Sequence, residues 1–257
     1  MARANAPRPD STEPAVAVGY WSLSKRPLHI LAFLLPLVVA YELSLALLLT
    51  LDIEAHRRLQ EFFEHLGVAP TGGLYVGGLV IVTVLLVWHM LEGQAWRLEP
   101  TVVPLMALES LVLAAPLVVL SQVISMPSGA AAASAPALVD LDVWSRMAVG
   151  VGAGLYEELA FRMLLIAVIH TLLVDLSGAS HRLGAMIAVV VSAVAFAWYH
   201  DLRGAGGQLS GQRLVFYFLA GLYLGAVYVF RGFGVVVGVH TLYDIIVLLL
   251  PTTDAGG

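Results

Sequence analysis

Cysteine is absent from the 257 residues, which excludes a thiol nucleophile, an iron–sulfur centre and any disulfide framework. Charge is scarce as well: charged residues make up 12% of the chain and hydrophobic ones 60%. A soluble domain carries about 25% charge, so this composition is that of an integral membrane protein. There is no basic stripe to bind nucleic acid, and the net charge of −5 is scattered along the chain, so it points to no partner. Three catalytic signatures are also missing. The chain has no HExxH for a zinc site, no GxGD to accompany Tyr243 and Asp244 in an aspartyl site, and no GxSG, since Ser128 stands in MPSG.

What the chain does have is a series of apolar runs. Crossing a hydrocarbon core of ~30 Å takes about 20 apolar residues in a helix. Candidate windows lie near 28–51, 72–91, 102–124, 145–174, 184–200, 213–230 and 233–250. The expected fold is all-α, a polytopic transmembrane helical bundle of about seven to eight spans. One membrane-embedded domain would occupy 28–251, with the densest chemistry at about 145–250, behind a polar tail at 1–27. That tail ends in Lys25, Arg26 and Pro27 and shows no small-residue cleavage site, so the first apolar run is expected to be retained. Arg3, Arg8, Lys25 and Arg26 all precede that run, and the positive-inside rule puts them in the cytoplasm.

Between the runs, Asp52 to Val68 sets Leu59, Phe62, Phe63 and Leu66 at helical spacing among charges. A helix lying on the membrane surface has this pattern, and so does a solvated connector. Met126 to Leu141 is an Ala, Ser and Pro-rich loop. Arg231 and Gly232 alone separate the last two runs, which demands a tight turn, while Gly221/Gly225 and Gly234/Gly238 allow close helix contact in lipid.

Ionisable residues inside such runs are costly, roughly 2.5–3.5 kcal/mol for Asp or Arg at a helix centre, and their default reading is functional. They fall in three groups: Glu157, Glu158 and Arg162; Phe196 and His200; His240 and Asp244. In an α-helix, positions four apart share a face, so Glu158 pairs with Arg162 while Glu157 points about 100° round the axis. Glu157 is then left without a counter-ion in a low-dielectric setting, suited to accept a proton. His200 taken alone reads as an interfacial histidine, with Trp198 and Tyr199 as an aromatic belt. His240 lies within the last run and shares a face with Asp244. One such carboxylate, two histidines and a further acid are the set needed to deprotonate a water and stabilise an oxyanion, as in hydrolysis of a peptide bond. Glu42 and Glu109 are single acids with no obvious partner and read as structural, and His29, His89 and His170 near the span ends read as interfacial.

The order EExxxR, FxxxH, HxxxD on successive membrane segments resembles the CAAX prenyl protease and bacteriocin-processing family, also called CPBP or Abi proteins, over about residues 145–250. The resemblance implies an α-helical intramembrane endopeptidase of glutamate type, acting on a membrane-associated peptide or protein within the bilayer. By that resemblance Glu157, helped by His200, activates the attacking water, and His240 with Asp244 binds the oxyanion. Glu158 and Arg162 hold the site together. Many members carry Asn at the position of Asp244; an ionised Asp accepts hydrogen bonds but cannot donate one, so Asp244 must carry a proton or serve otherwise. No cofactor is expected; were zinc bound, Glu157, Glu158, His200 and His240 would be its ligands. The expected location is the cytoplasmic membrane of a prokaryote. Two other classes share these residues: a non-catalytic peptide-binding or self-immunity protein of the same fold, and a proton-coupled transporter.

Overall fold

A computed structural model describes residues 19–48, 76–124, 142–203 and 207–249. The segment 52–68 expected on the membrane surface and the loop 126–141 lie outside the described residues. The chain forms α1 (Tyr20–Leu23), α2 (Pro27–Leu48), α3 (Val76–Glu92), α4 (Val102–Val123), α5 (Val143–Leu176), α6 (His181–Tyr199), α7 (Gly211–Arg231) and α8 (Phe233–Leu249). No strand occurs among the described residues.

The protein is therefore an all-α bundle built for a membrane. Parts of α2 and all of α4, α5, α6 and α7 are long and apolar enough to cross one, and α3 and α8 are shorter apolar helices. Most of these helices are apolar all round, as membrane spans are. α2 buries Ile30, Leu34, Val38 and Tyr41 while exposing Leu35, Val39 and Leu43; α4 likewise exposes Leu105, Leu108 and Val112. Side-chain caps start three helices: Asp142 accepts the Ser145 N–H at 2.8 Å, and Ser180 and Ser210 accept from Leu183 and Arg213.

Helix α8 is the axis of the bundle, buried without interruption from Phe233 to Thr241. Small residues let its neighbours approach. Gly150 and Gly154 bring α5 against Asp244 and Thr241, which makes the two helices antiparallel. Gly234 and Gly238 meet Met106 and Ser110 of α4, which runs parallel to α8. Gly221 and Gly225 rest on Ala193 and Val189, pairing α7 antiparallel to α6. The turn between α7 and α8 is the tight one expected, and Gly232 makes it at φ 86°, a conformation costly for any side chain.

Two acids expected to lack partners have them. Glu109 receives Arg231 Nε on one oxygen and Arg231 Nη2 on the other at 2.8 Å, and also the Tyr20 hydroxyl. The same guanidinium reaches Ser24 Oγ at 3.0 Å and lies 3.8 Å over the Trp21 ring. This clasp ties α1, α4 and the end of α7 together at the N-terminal end of the bundle. Glu42 accepts the Tyr156 hydroxyl at 3.0 Å. The histidines also differ from expectation: His29 and His89 are buried at 1% and 2% exposure. His29 Nε2 accepts the Glu99 N–H at 3.2 Å, and His89 packs edge-on to Trp96. His170 is half-buried beside His181.

Candidate functional site

The three motif groups converge at the end of the bundle remote from the clasp, where α6 finishes and α7 begins. α5 does not stay α-helical there. From Glu158 to Leu165 it winds as a π-helix, with bonds from residue i to i+5 in place of i+4. The α-helical geometry expected for EExxxR is thus corrected, although the pairing survives. Ser192 of α6 supports this wider turn by donating its hydroxyl to the Phe161 carbonyl at 2.8 Å.

Glu158 and Arg162 are both fully buried, with Oε1 and Nη1 3.0 Å apart. Arg162 Nη2 reaches the Gly221 carbonyl at 3.4 Å, and its guanidinium lies 4.2 Å over the Phe196 ring. One side chain thus joins α5, α6 and α7. The same Glu158 oxygen takes a 2.6 Å hydrogen bond from His240 Nδ1. Glu158 is held from two sides, and it orients His240 in turn.

Glu157 is placed differently. Its Oε2 is buried without a hydrogen-bond partner, 3.6 Å from His200 Nε2 and 3.9 Å from His240 Nε2. Both separations exceed a direct hydrogen bond. His200 stands just outside helical geometry at φ −81°, ψ 156°, and its Nδ1 lies 2.8 Å from the Phe196 carbonyl. A carbonyl only accepts, so Nδ1 carries the proton and the neutral ring turns a lone pair on Nε2 toward Glu157. Glu157 Oε2 and His200 Nε2 are then two acceptors aimed at one space, and a donor with two hydrogens satisfies both.

That space is a cavity of about 40 Å³, lined by Glu157, His200, His240 and Asp244 together with Phe196, Phe216, Tyr217 and Tyr243. It exceeds the ~10–15 Å³ that one water needs and offers the polar partners that such a water requires. Asp244, one turn beyond His240, brings Oδ2 to 3.5 Å from Nε2. Four of the six ionisable residues singled out in the sequence therefore line one pocket, and Glu158 and Arg162 stand behind it, joined to it through His240.

Of the four residues that would be ligands were zinc bound, one is already engaged. Glu158 has Oε1 committed to Arg162 and His240, and among the described residues no three His, Asp or Glu side chains are disposed to hold a metal ion. Reading the sequence also passed over Tyr217, whose ring stacks on His200 with centroids 4.0 Å apart and planes at 24°. No spacing marks that contact. The closely packed Gly150 and Gly154 were missed too, although their four-residue spacing was a usable signal.

Residues 139–246 match the model of the family described as Rce1-like, type II CAAX prenyl endopeptidase Rce1-like, and Glu157, Glu158, Arg162, His200, His240 and Asp244 all lie within that stretch. No curated protein and no solved structure matches the chain.

Proposed function

We propose that the chain, whose residues 139–246 match the model of the Rce1-like type II CAAX prenyl endopeptidases, is an intramembrane endopeptidase whose attacking water is activated by Glu157. The observation that carries this reading is the pair of buried acceptors, Glu157 Oε2 and His200 Nε2, facing one small cavity at 3.6 Å. A water there donates one hydrogen to each. As it attacks the scissile carbonyl carbon, Glu157 takes its proton and the carbonyl oxygen becomes an oxyanion. His240, anchored through Nδ1 to Glu158, offers Nε2 to that oxyanion once it carries a second proton, with Asp244 beside it. Glu157 then returns the proton to the departing nitrogen as the C–N bond breaks, leaving a carboxylic acid and an amine, which exchange a proton to end as carboxylate and ammonium. Arg162 neutralises Glu158, so Glu157 is the carboxylate left to act as base.

The bond cleaved belongs to a membrane-associated protein or peptide, and the family suggests a prenylated C-terminus. The test uses purified protein in proteoliposomes and a farnesylated peptide ending in a CAAX tetrapeptide, with mass spectrometry of the products. Wild type should release the C-terminal tripeptide, and Glu157→Gln should be slower by at least about 10²-fold. Comparable turnover by folded Glu157→Gln would remove Glu157 as the base. If wild type cuts neither this peptide nor, by comparison of cells with and without the chain, any membrane or secreted protein, the non-catalytic peptide-binding reading replaces the protease.

A further inference from the structure

We propose that α7 is the mount of His200, with Arg213 holding the backbone that follows the histidine and Tyr217, one turn deeper, holding its ring. The inference rests on the role of His200 in the proposed reaction. α6 ends at Tyr199, so helix geometry no longer dictates where the His200 ring points. Two contacts from one face of α7 take over that task. Arg213 Nη1 donates to the Asp201 carbonyl at 3.2 Å and lies 3.5 Å from its carboxylate. Tyr217, four residues on and therefore on the same face, covers one side of the imidazole at 4.0 Å between centroids. The Phe196 ring also packs against the imidazole, with centroids 4.5 Å apart, and its carbonyl accepts the hydrogen bond from Nδ1. Nε2 is the one polar atom of the ring left to act, and it faces Glu157.

The connection between the helices is pinned to the same mount. Asp201 Oδ1 accepts the Arg203 N–H at 2.9 Å, and the Ser210 N–H donates to the Leu202 carbonyl at 2.8 Å. Ser210 also caps α7, so hydrogen bonds join the residues after α6 to the start of α7. Without the stack or the Arg213 tie, His200 regains side-chain rotation, and a misplacement of 1 Å costs about 10²-fold in rate. Arg213 and Tyr217 are positioning residues, acting through His200.

A double-mutant cycle on the farnesylated peptide tests this. Tyr217→Leu and Arg213→Gln should each lower kcat by about ten- to a hundredfold with little change in KM, while Tyr217→Phe, which keeps the ring, should stay within about threefold of wild type. In a His200→Ala background neither substitution should slow the residual reaction further. Losses that multiply in that background would overturn the proposal. A second readout does not depend on turnover. In protein labelled with ¹⁵N-histidine, the His200 signal, assigned by its loss in His200→Ala, should show the Nδ1–H tautomer in wild type and Tyr217→Phe. It should lose that signature in Tyr217→Leu and Arg213→Gln, and an unchanged spectrum in both would also overturn the mount. If His200→Ala itself keeps wild-type turnover, the assistance of Glu157 by His200 falls, and the mount is decided by the spectra alone.

Discussion

Replacing Gly154 by Ala adds one methyl group where α5 and α8 come closest. A Cβ there would lie 2.1 Å from Thr241 Oγ1, 2.8 Å from the Thr241 backbone nitrogen and 3.0 Å from its Cα. A hydroxyl can rotate aside, but the backbone atoms cannot, and ordinary contact begins at about 3.5 Å. Taking the nitrogen from 2.8 Å to that distance separates the helices by about 0.7 Å. Overpacking of this kind destabilises by roughly 1–3 kcal/mol. The site feels the shift because Glu157 and Glu158 follow Gly154 by one turn and His240 adjoins Thr241. The Glu158–His240 bond would stretch from 2.6 Å to about 3.3 Å, and Glu157 Oε2 would recede from His240 Nε2, from 3.9 Å to about 4.6 Å. A displacement of this size should reduce turnover by ten- to about a hundredfold, beyond any loss of folded protein. Gly211→Ala is the control, since nothing lies within 4 Å of a Cβ at that position. Initial rates on the farnesylated peptide and thermal unfolding in detergent measure the two effects separately. Gly154→Ala protein with the melting temperature and rate of wild type would refute the link from the α5–α8 contact to the site.

Three further outcomes are expected. Asp244→Asn, which donates a hydrogen bond at every pH, should keep substantial activity, while Asp244→Leu, with no donor, should be poor; an inactive but folded Asp244→Asn would mean that the carboxylate itself is needed. Prolonged chelation should leave the cleavage rate unchanged, whereas stoichiometric metal whose removal and return switch activity off and on would reinstate the Glu and His residues as a zinc site. Arg231→Met strands Glu109 in a largely buried setting and should lower the stability measured by detergent unfolding by about 1–3 kcal/mol. Because the clasp lies at the far end of the bundle from the pocket, the rate per folded molecule should not change.

The sequence by itself determined the membrane class, the run of apolar helices and the six ionisable residues that converge in the structure, because desolvation makes an ionisable side chain conspicuous in an apolar run. It also determined contacts within one helix, Glu158 with Arg162 and His240 with Asp244, since helical spacing is local arithmetic. Tertiary structure alone decided the contacts between helices. Glu42 meets Tyr156 across 114 positions and Glu109 meets Arg231 across 122, so both acids looked solitary in sequence. The π-helical turn at Glu158 was equally hidden, since it depends on backbone hydrogen-bond register and on support from Ser192 of another helix. His29 and His89 sit near span ends, where an interfacial ring was the natural reading, yet the packing of neighbouring segments buries them. His200 shows the division most clearly: its position in the motif was legible, while its tautomer, its stack on Tyr217 and its 3.6 Å approach to Glu157 arise only when α5, α6 and α7 close on one another. Spacing along a chain encodes neighbours on one helix face, but which faces meet is decided by shape, and in this bundle glycines on α5, α7 and α8 set how near they come.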